Sequence, residues 1–170
     1  DINELYYSKV KSIYGEILNY IAKGQSNLKL TEHQNKQLTD IKIANRRMVE
    51  IIKDTRELSK NVAVFINAEN KYIKKEYDKI RKKVAKVLRV IYLFEKNDDK
   101  EIYFNQLKKI RIEAKEAKYS SNKSIDKLIR KSFITPNMAS SLVNDNGSVN
   151  DLIKKLIQVA ELLYSEKDVI

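Results

Sequence analysis

From Lys71 to Lys96 the chain reads KYIKKEYDKIRKKVAKVLRVIYLFEK, and its apolar residues keep an unbroken rhythm. Ile73, Tyr77, Ile80, Val84, Val87, Ile91 and Phe94 are separated by four, three, four, three, four and three positions. A helix turns once in about 3.6 residues, so this spacing draws one apolar stripe along one side. Such a stripe needs other helices to cover it. The rest of the stretch is strongly basic: Lys71, Lys74, Lys75, Lys79, Arg81, Lys82, Lys83, Lys86 and Arg89 are set against Glu76 and Asp78.

Outward from this helix, the pattern predicts more of the same. A first helix is expected from Ile2 to Lys23, with Leu5, Tyr6, Val10, Ile13, Ile17 and Ile21 on its stripe. Gly24 is read as the residue just past its end, before a polar turn Gln25-Ser26-Asn27. Thr31 with Gln34 three positions on is a capping-box pattern opening a second helix that reaches Ala68. Its stripe is Leu38, Ile41, Ala44, Met48, Ile52, Thr55, Ser59, Val62 and Ile66, and its length invites a break near Asn61.

Past the basic helix, Asp98 or Asp99 caps a fourth helix carrying Leu107, Ile110, Ala114, Ala117, Ser121, Ile125 and Leu128. Thr135-Pro136 opens a short fifth helix, with Pro at the first helical position. Asn144-Asp145-Asn146-Gly147 reads as a turn, and Ser148-x-x-Asp151 as the cap of a sixth helix through Val149, Leu152, Ile153, Leu156, Ala160 and Leu163. The tail from Ser165 to Ile170 is expected to fray. The fold expected over residues 1–170 is therefore one all-α domain, an antiparallel bundle of about six helical segments.

Composition agrees. Three Gly and one Pro in 170 residues leave too few turn formers for a β-rich fold. At this length a single domain can bury roughly 70% of its unfolded surface. There is no Cys, hence no disulfide or thiolate chemistry, which fits a reducing compartment. No apolar run approaches the roughly 20 residues that span a bilayer. The net charge of +11, from 34 Lys plus Arg against 23 Asp plus Glu, reads either as a match for a polyanion or anionic surface or as lysines that only decorate solvated faces.

Signals of catalysis are scarce. His33 is the single His, in the first turn of the second helix, and no partner orients it as a general base. There is no Glu-x-x-His pair for a di-iron centre, no glycine-rich phosphate loop and no nucleophile elbow. Glu50 with Asp54, and Glu113 with Glu116, are carboxylate pairs at helical spacing that a hard cation could use. Glu50, Asp54 and Glu57 fall opposite the Met48-Ile52-Thr55 stripe among Arg47, Lys53, Arg56 and Lys60, which reads as a solvated charged face. The expectation is a non-enzymatic protein with no catalytic residue, no metal site and no cofactor.

The basic helix is the one substantial constellation. Lys71, Lys74, Lys75, Lys79, Lys82, Lys83, Lys86 and Arg89 are the candidate contacts for an anionic surface. Base readout would call for Arg, Asn or Gln set toward base edges, or aromatics alternating with basic residues. Contact with phosphates alone, or with an anionic leaflet, asks only for the charge.

The stretch Ile134-Thr135-Pro136-Asn137-Met138-Ala139-Ser140-Ser141-Leu142-Val143-Asn144-Asp145 resembles the closing segment of the cytoplasmic region in bacterial sodium/phosphate cotransporters. There a Thr-Pro-x-Met-Ala-(Thr/Ser)-Ser-Leu-x-Asn-Asp run precedes a last helix. Lys53-Asp54-x-x-Glu57-Leu58-x-Lys60-Asn61 with Asn70-x-Tyr72-Ile73-x-x-Glu76-Tyr77 is similar to the middle of that region. So is Glu113-Ala114-Lys115-Glu116-Ala117 ahead of Asp126-x-Leu128-Ile129-Arg130. Together they cover about Ile41 to Tyr164.

The resemblance implies a PhoU-like domain of two three-helix units with a regulatory or accessory role in sodium-dependent phosphate transport. It implies a fragment of a longer membrane transporter, which also accounts for a start at Asp1 without Met. Its partners would be the transmembrane transport domain of the same polypeptide, the cytoplasmic membrane surface and further copies of itself. Its location would be the cytoplasmic side of the bacterial inner membrane. PhoU proteins carry paired acidic metal motifs. Glu50-x-x-x-Asp54 matches one in spacing only, and the matching region of the second half offers Asp145 alone, so no metal site is carried over. The rival reading is a free basic bundle that binds nucleic acid through Lys71 to Arg89.

Overall fold

The computed structural model describes residues 2–165, and for 2, 3, 118 and 119 the backbone alone. It is all-helical among the described residues, with five helices. The first, α1, joins Ile2–Leu5, a π-helical stretch Tyr6–Val10 and Lys11–Asn27 without a break. Then come α2 (Glu32–Phe65), α3 (Lys71–Lys96), α4 (Lys100–Arg130) and α5 (Pro136–Tyr164).

Local chemistry sets the starts. The Thr31 hydroxyl accepts from the Gln34 amide at 3.2 Å while the Thr31 amide donates to the Gln34 side chain at 2.9 Å, closing the expected capping box. Asn70 caps α3 by accepting from the amides of Tyr72 and Ile73. Asp99 caps α4, and Thr135 caps α5 with Pro136 in its first turn. The end of α4 turns at Ser132, whose φ of 53° is left-handed. The amides of Ser132 and Phe133 there reach back to the carbonyls of Ile129 and Leu128, at 2.8 and 2.9 Å. This turn is pinned to the start of α3, because Phe133 stacks on Tyr72 at 4.1 Å and its carbonyl accepts from the Asn70 side chain.

Short connections make sequential helices antiparallel, and cross-helix pairs fix the register. Asn61 meets Asp145 and Asp54 meets Lys155, so α2 and α5 run opposite ways. Lys86 meets Glu113 across α3 and α4, and Arg111 meets Glu161 across α4 and α5. α5 is the hub: it packs on α2, α3 and α4, whereas α2 and α3 touch each other little. Its wide buried arc includes Ala139, Leu142, Val149, Leu152, Ile153, Ile157 and Ala160. α1 lies along α2 and, among its described side chains, buries only Ile21.

The all-α bundle, the α3 stripe and the α4 stripe agree with the expectation from sequence. Ile73, Tyr77, Ile80, Val87 and Phe94 are buried, with Val84 and Ile91 packed at the core's edge. Five expectations need correction. The first helix runs through Gly24 to Asn27, so Gly24 is not a terminal residue and Gln25-Ser26-Asn27 is not a turn. Leu5 and Ile13 stay exposed because α1 has one neighbour instead of two. α2 is unbroken past Asn61 to Phe65, and its inner face includes Leu58 and Phe65 while Met48 is 37% exposed.

Fourth, no turn interrupts residues 144–147. The short helix and the last one are a single α5, which lowers the count from six segments to five and leaves Ser148 mid-helix. Asp145 there has helix-to-helix partners that a turn would deny it. The fifth, concerning the acidic face of α2, is described with the site. The fraying expected of Ser165 to Ile170 lies, for 166–170, outside the described residues.

Candidate functional site

On α3 the residues opposite the buried stripe form an exposed edge: Lys71, Lys74, Lys75, Lys79, Lys82, Lys86 and Arg89. The geometry that buries one side presents the other, because both repeat with the helix turn. Part of this charge is answered locally. Lys79 pairs with Glu76 at 2.5 Å, Arg81 and Lys82 both reach Asp78 at 2.7 Å, and Lys86 reaches Glu113 at 3.1 Å. The two bonds from Lys82 and Arg81 hold the Asp78 carboxyl below its ordinary range. Lys71 sits over the Tyr72 ring at 5.3 Å. Lys83 departs from the set expected to face outward: it is half-buried, and desolvation pulls its ammonium below the usual lysine value.

The acidic face of α2 is the fifth correction for two of its three carboxylates, since Glu57 stays exposed between Arg56 and Lys60 as expected. Glu50 and Asp54 are not turned to solvent but are half-buried against α5, where Lys155 reaches Asp54 at 2.6 Å and Glu50 at 3.7 Å. Arg47 and Arg46 close on Glu50 at 2.6 and 3.3 Å. The hydrogen bond from Arg47 is the main reason the Glu50 carboxyl sits below its ordinary value. An ammonium therefore stands where a cation ligand set would need to converge. No group of three or more His, Cys, Asp or Glu among the described residues is arranged to hold a metal ion. Glu113 serves Lys86, and His33 is exposed.

A buried polar seam lies between these two regions, and sequence reasoning missed it. Tyr77, fully buried on α3, donates its hydroxyl to Asp145 of α5 at 2.6 Å. Asn61 of α2 donates to the other carboxylate oxygen at 3.3 Å. Burial, and then the bond to Asp145, push the Tyr77 phenol well above its ordinary value. One signal was available: Asp145 falls three residues after Leu142 and four before Val149, on the same stripe. Its type argued for a turn, and its position argued for the core.

No family model, no characterised protein and no solved structure matches this chain.

Proposed function

We propose that this bundle is the regulatory cytoplasmic domain of a sodium-dependent phosphate symporter, PhoU-like in kind and non-enzymatic. The observation that carries the reading is the Ile134 to Asp145 stretch. It gains support from where its companion stretches lie. Asn61 and Tyr77 from the second and Asp145 from the first are joined by hydrogen bonds into one seam across α2, α3 and α5, and Asp54 of the second reaches α5 through Lys155. Residues far apart in the chain thus act as one structural unit.

The transport domain of the same polypeptide and the cytoplasmic leaflet are the partners, with the exposed lysine edge of α3 toward the anionic surface. Regulation would act through a shift between helix packings that biases the transport domain. The loosest place is between α2 and α3, where an apolar groove lined by Leu58, Val62, Val84, Leu88 and Leu156 is open. No helix among the described residues is long and apolar enough to cross a membrane, and this reading places the spanning segments elsewhere in the same polypeptide.

Removing the bundle from the full-length transporter should change the rate or the phosphate dependence of uptake in cells. Unchanged uptake, or a gene encoding no membrane-spanning segment beside the bundle, overturns the reading.

The second reading, nucleic-acid binding, draws on the alignment of Lys71, Lys75, Lys82, Lys86 and Arg89 along one exposed edge. Charge reversal at Lys75, Lys82 and Lys86 should abolish a salt-sensitive gel shift if it holds. The absence of any shift at near-physiological salt removes it.

A further inference from the structure

Where α3, α4 and α5 meet, a pocket of about 180 Å³ opens beside the buried seam. It is lined by Glu76, Lys79 and Lys83 of α3, Ser120 and Ser124 of α4, and Asn146 of α5. We propose that this pocket binds a small tetrahedral oxyanion, of which free inorganic phosphate is the type.

Charge is the first ground. Lys79 is tied to Glu76 at 2.5 Å, and Glu76 is itself only 15% exposed, so these two answer each other. Lys83 forms no salt bridge among the described residues and feels only part of Glu76, which is already tied to Lys79, so its half-buried ammonium is incompletely compensated. Partial desolvation of a cation is costly unless something shares its charge. The depressed ammonium value of Lys83 comes mainly from that burial, with Lys79 adding to it and Glu76 working against it. An anion would relieve both the burial and the repulsion.

Donors and size are the second ground. Asn146 gives one amide hydrogen to the Leu142 carbonyl at 2.9 Å, and a primary amide has a second. The Ser120 hydroxyl reaches the Ala117 carbonyl at a long 3.2 Å, a bond it can exchange for a charged acceptor. Ser124 adds another hydroxyl to the wall. The volume is enough for one phosphate-sized group with some of its hydration. The carboxylate of Glu76 would repel a doubly charged ion unless Lys79 keeps it covered. The pocket therefore depends on that pair staying closed.

This site depends on its own groups and not on what adjoins the bundle, so it and the transporter reading can fail separately. The test titrates inorganic phosphate into the protein at constant ionic strength, with sulfate and chloride in parallel, following backbone amide shifts by NMR. The expected result is a saturable shift at Lys83, Ser124 and Asn146 with phosphate and sulfate but not chloride, while Lys74 and Lys75 respond little. K83Q should weaken phosphate at least about tenfold, the loss of one charge-assisted contact, and K74Q should change it by less than about twofold. Shifts spread evenly over the exposed lysines, or matched by chloride, overturn the proposal. So does a folded K83Q protein that binds as before. Vesicles containing phosphatidic acid are the last arm: binding to them without any saturable response to inorganic phosphate also overturns it.

Discussion

α1 and α3 are both amphipathic helices, yet they end in opposite conditions. α3 buries Ile73, Tyr77, Ile80, Val87, Val90 and Phe94, whereas α1, among its described side chains, buries Ile21 alone. On α1, Leu5, Ile13 and Tyr20 remain 47%, 54% and 80% exposed. The difference is the number of neighbours: α3 packs against α4 and α5, and α1 rests on α2. An apolar stripe states what a helix can bury. The helices around it decide how much it does bury, and each half-covered residue contributes correspondingly less stability.

The widest separation should come from large-to-small changes on the two helices. Phe94→Ala is expected to cost about 3–5 kcal/mol in urea unfolding, through lost transfer energy and the cavity left behind. Ile13→Ala should stay within about 0.5 kcal/mol. Equal costs would erase the contrast between the helices.

Next comes the Tyr77–Asp145–Asn61 seam on the α3 side. Asp145→Ala leaves the Tyr77 hydroxyl buried without its acceptor and should cost about 1–3 kcal/mol. Adding Tyr77→Phe to it should cost less than the two separate changes summed. Because the Tyr77 phenol is raised above its ordinary value, the protonated form is the one the fold favours. That contribution is intact below about pH 10 and is lost as pH rises beyond it. Alkaline titration by tyrosinate absorbance should show Tyr77 ionising only with unfolding. Ionisation together with exposed Tyr20 would break the assignment.

The α2–α5 ion cluster should matter less. Lys155→Met is expected to cost about 1 kcal/mol at neutral pH, since the groups are only half-buried and water screens them. The Glu50 carboxyl is depressed in the fold, so its contribution is present above the ordinary value of 4.5 and lost as pH falls through the lower folded value. Glu50→Gln should therefore flatten the acid side of the stability profile, read by unfolding at successive pH values. An unchanged profile would mean that solvent already screens the cluster.

The smallest expected effect is a gain. A Cβ on Gly147 would meet nothing within 4 Å, and no glycine here has a positive φ. Gly147→Ala should stabilise by about 0.5–1 kcal/mol, the usual difference inside a helix. A loss would restore the turn that the residue types of 144–147 announce.

These tests follow the line between what the chain states locally and what it does not. The α3 stripe was legible because spacing alone defines it. The caps at Thr31, Asp99 and Thr135 were legible because each acts on an amide three residues away. The continuity of α5 was not, because Asn-Asp-Asn-Gly is turn chemistry and the partners that overrule it, Tyr77 and Asn61, are 68 and 84 residues away. Lys155 was missed for the same reason, standing 101 residues from Asp54. Of the lysine edge, the exposed members followed from the helical wheel. Lys83 did not, because its burial depends on how closely α4 approaches.

The hub position of α5 also sets an order of events at the ribosome. α2 and α3 hardly meet without it, and the buried arcs of α2, α3 and α4 all wait for the same 29 residues. The earlier helices therefore emerge into water with their greasy sides bare. The pairs α1–α2 and α3–α4 can meet earlier, but each keeps a bare side until α5 has left the exit tunnel, and the nascent chain depends on delay or on chaperones to stay apart from its neighbours.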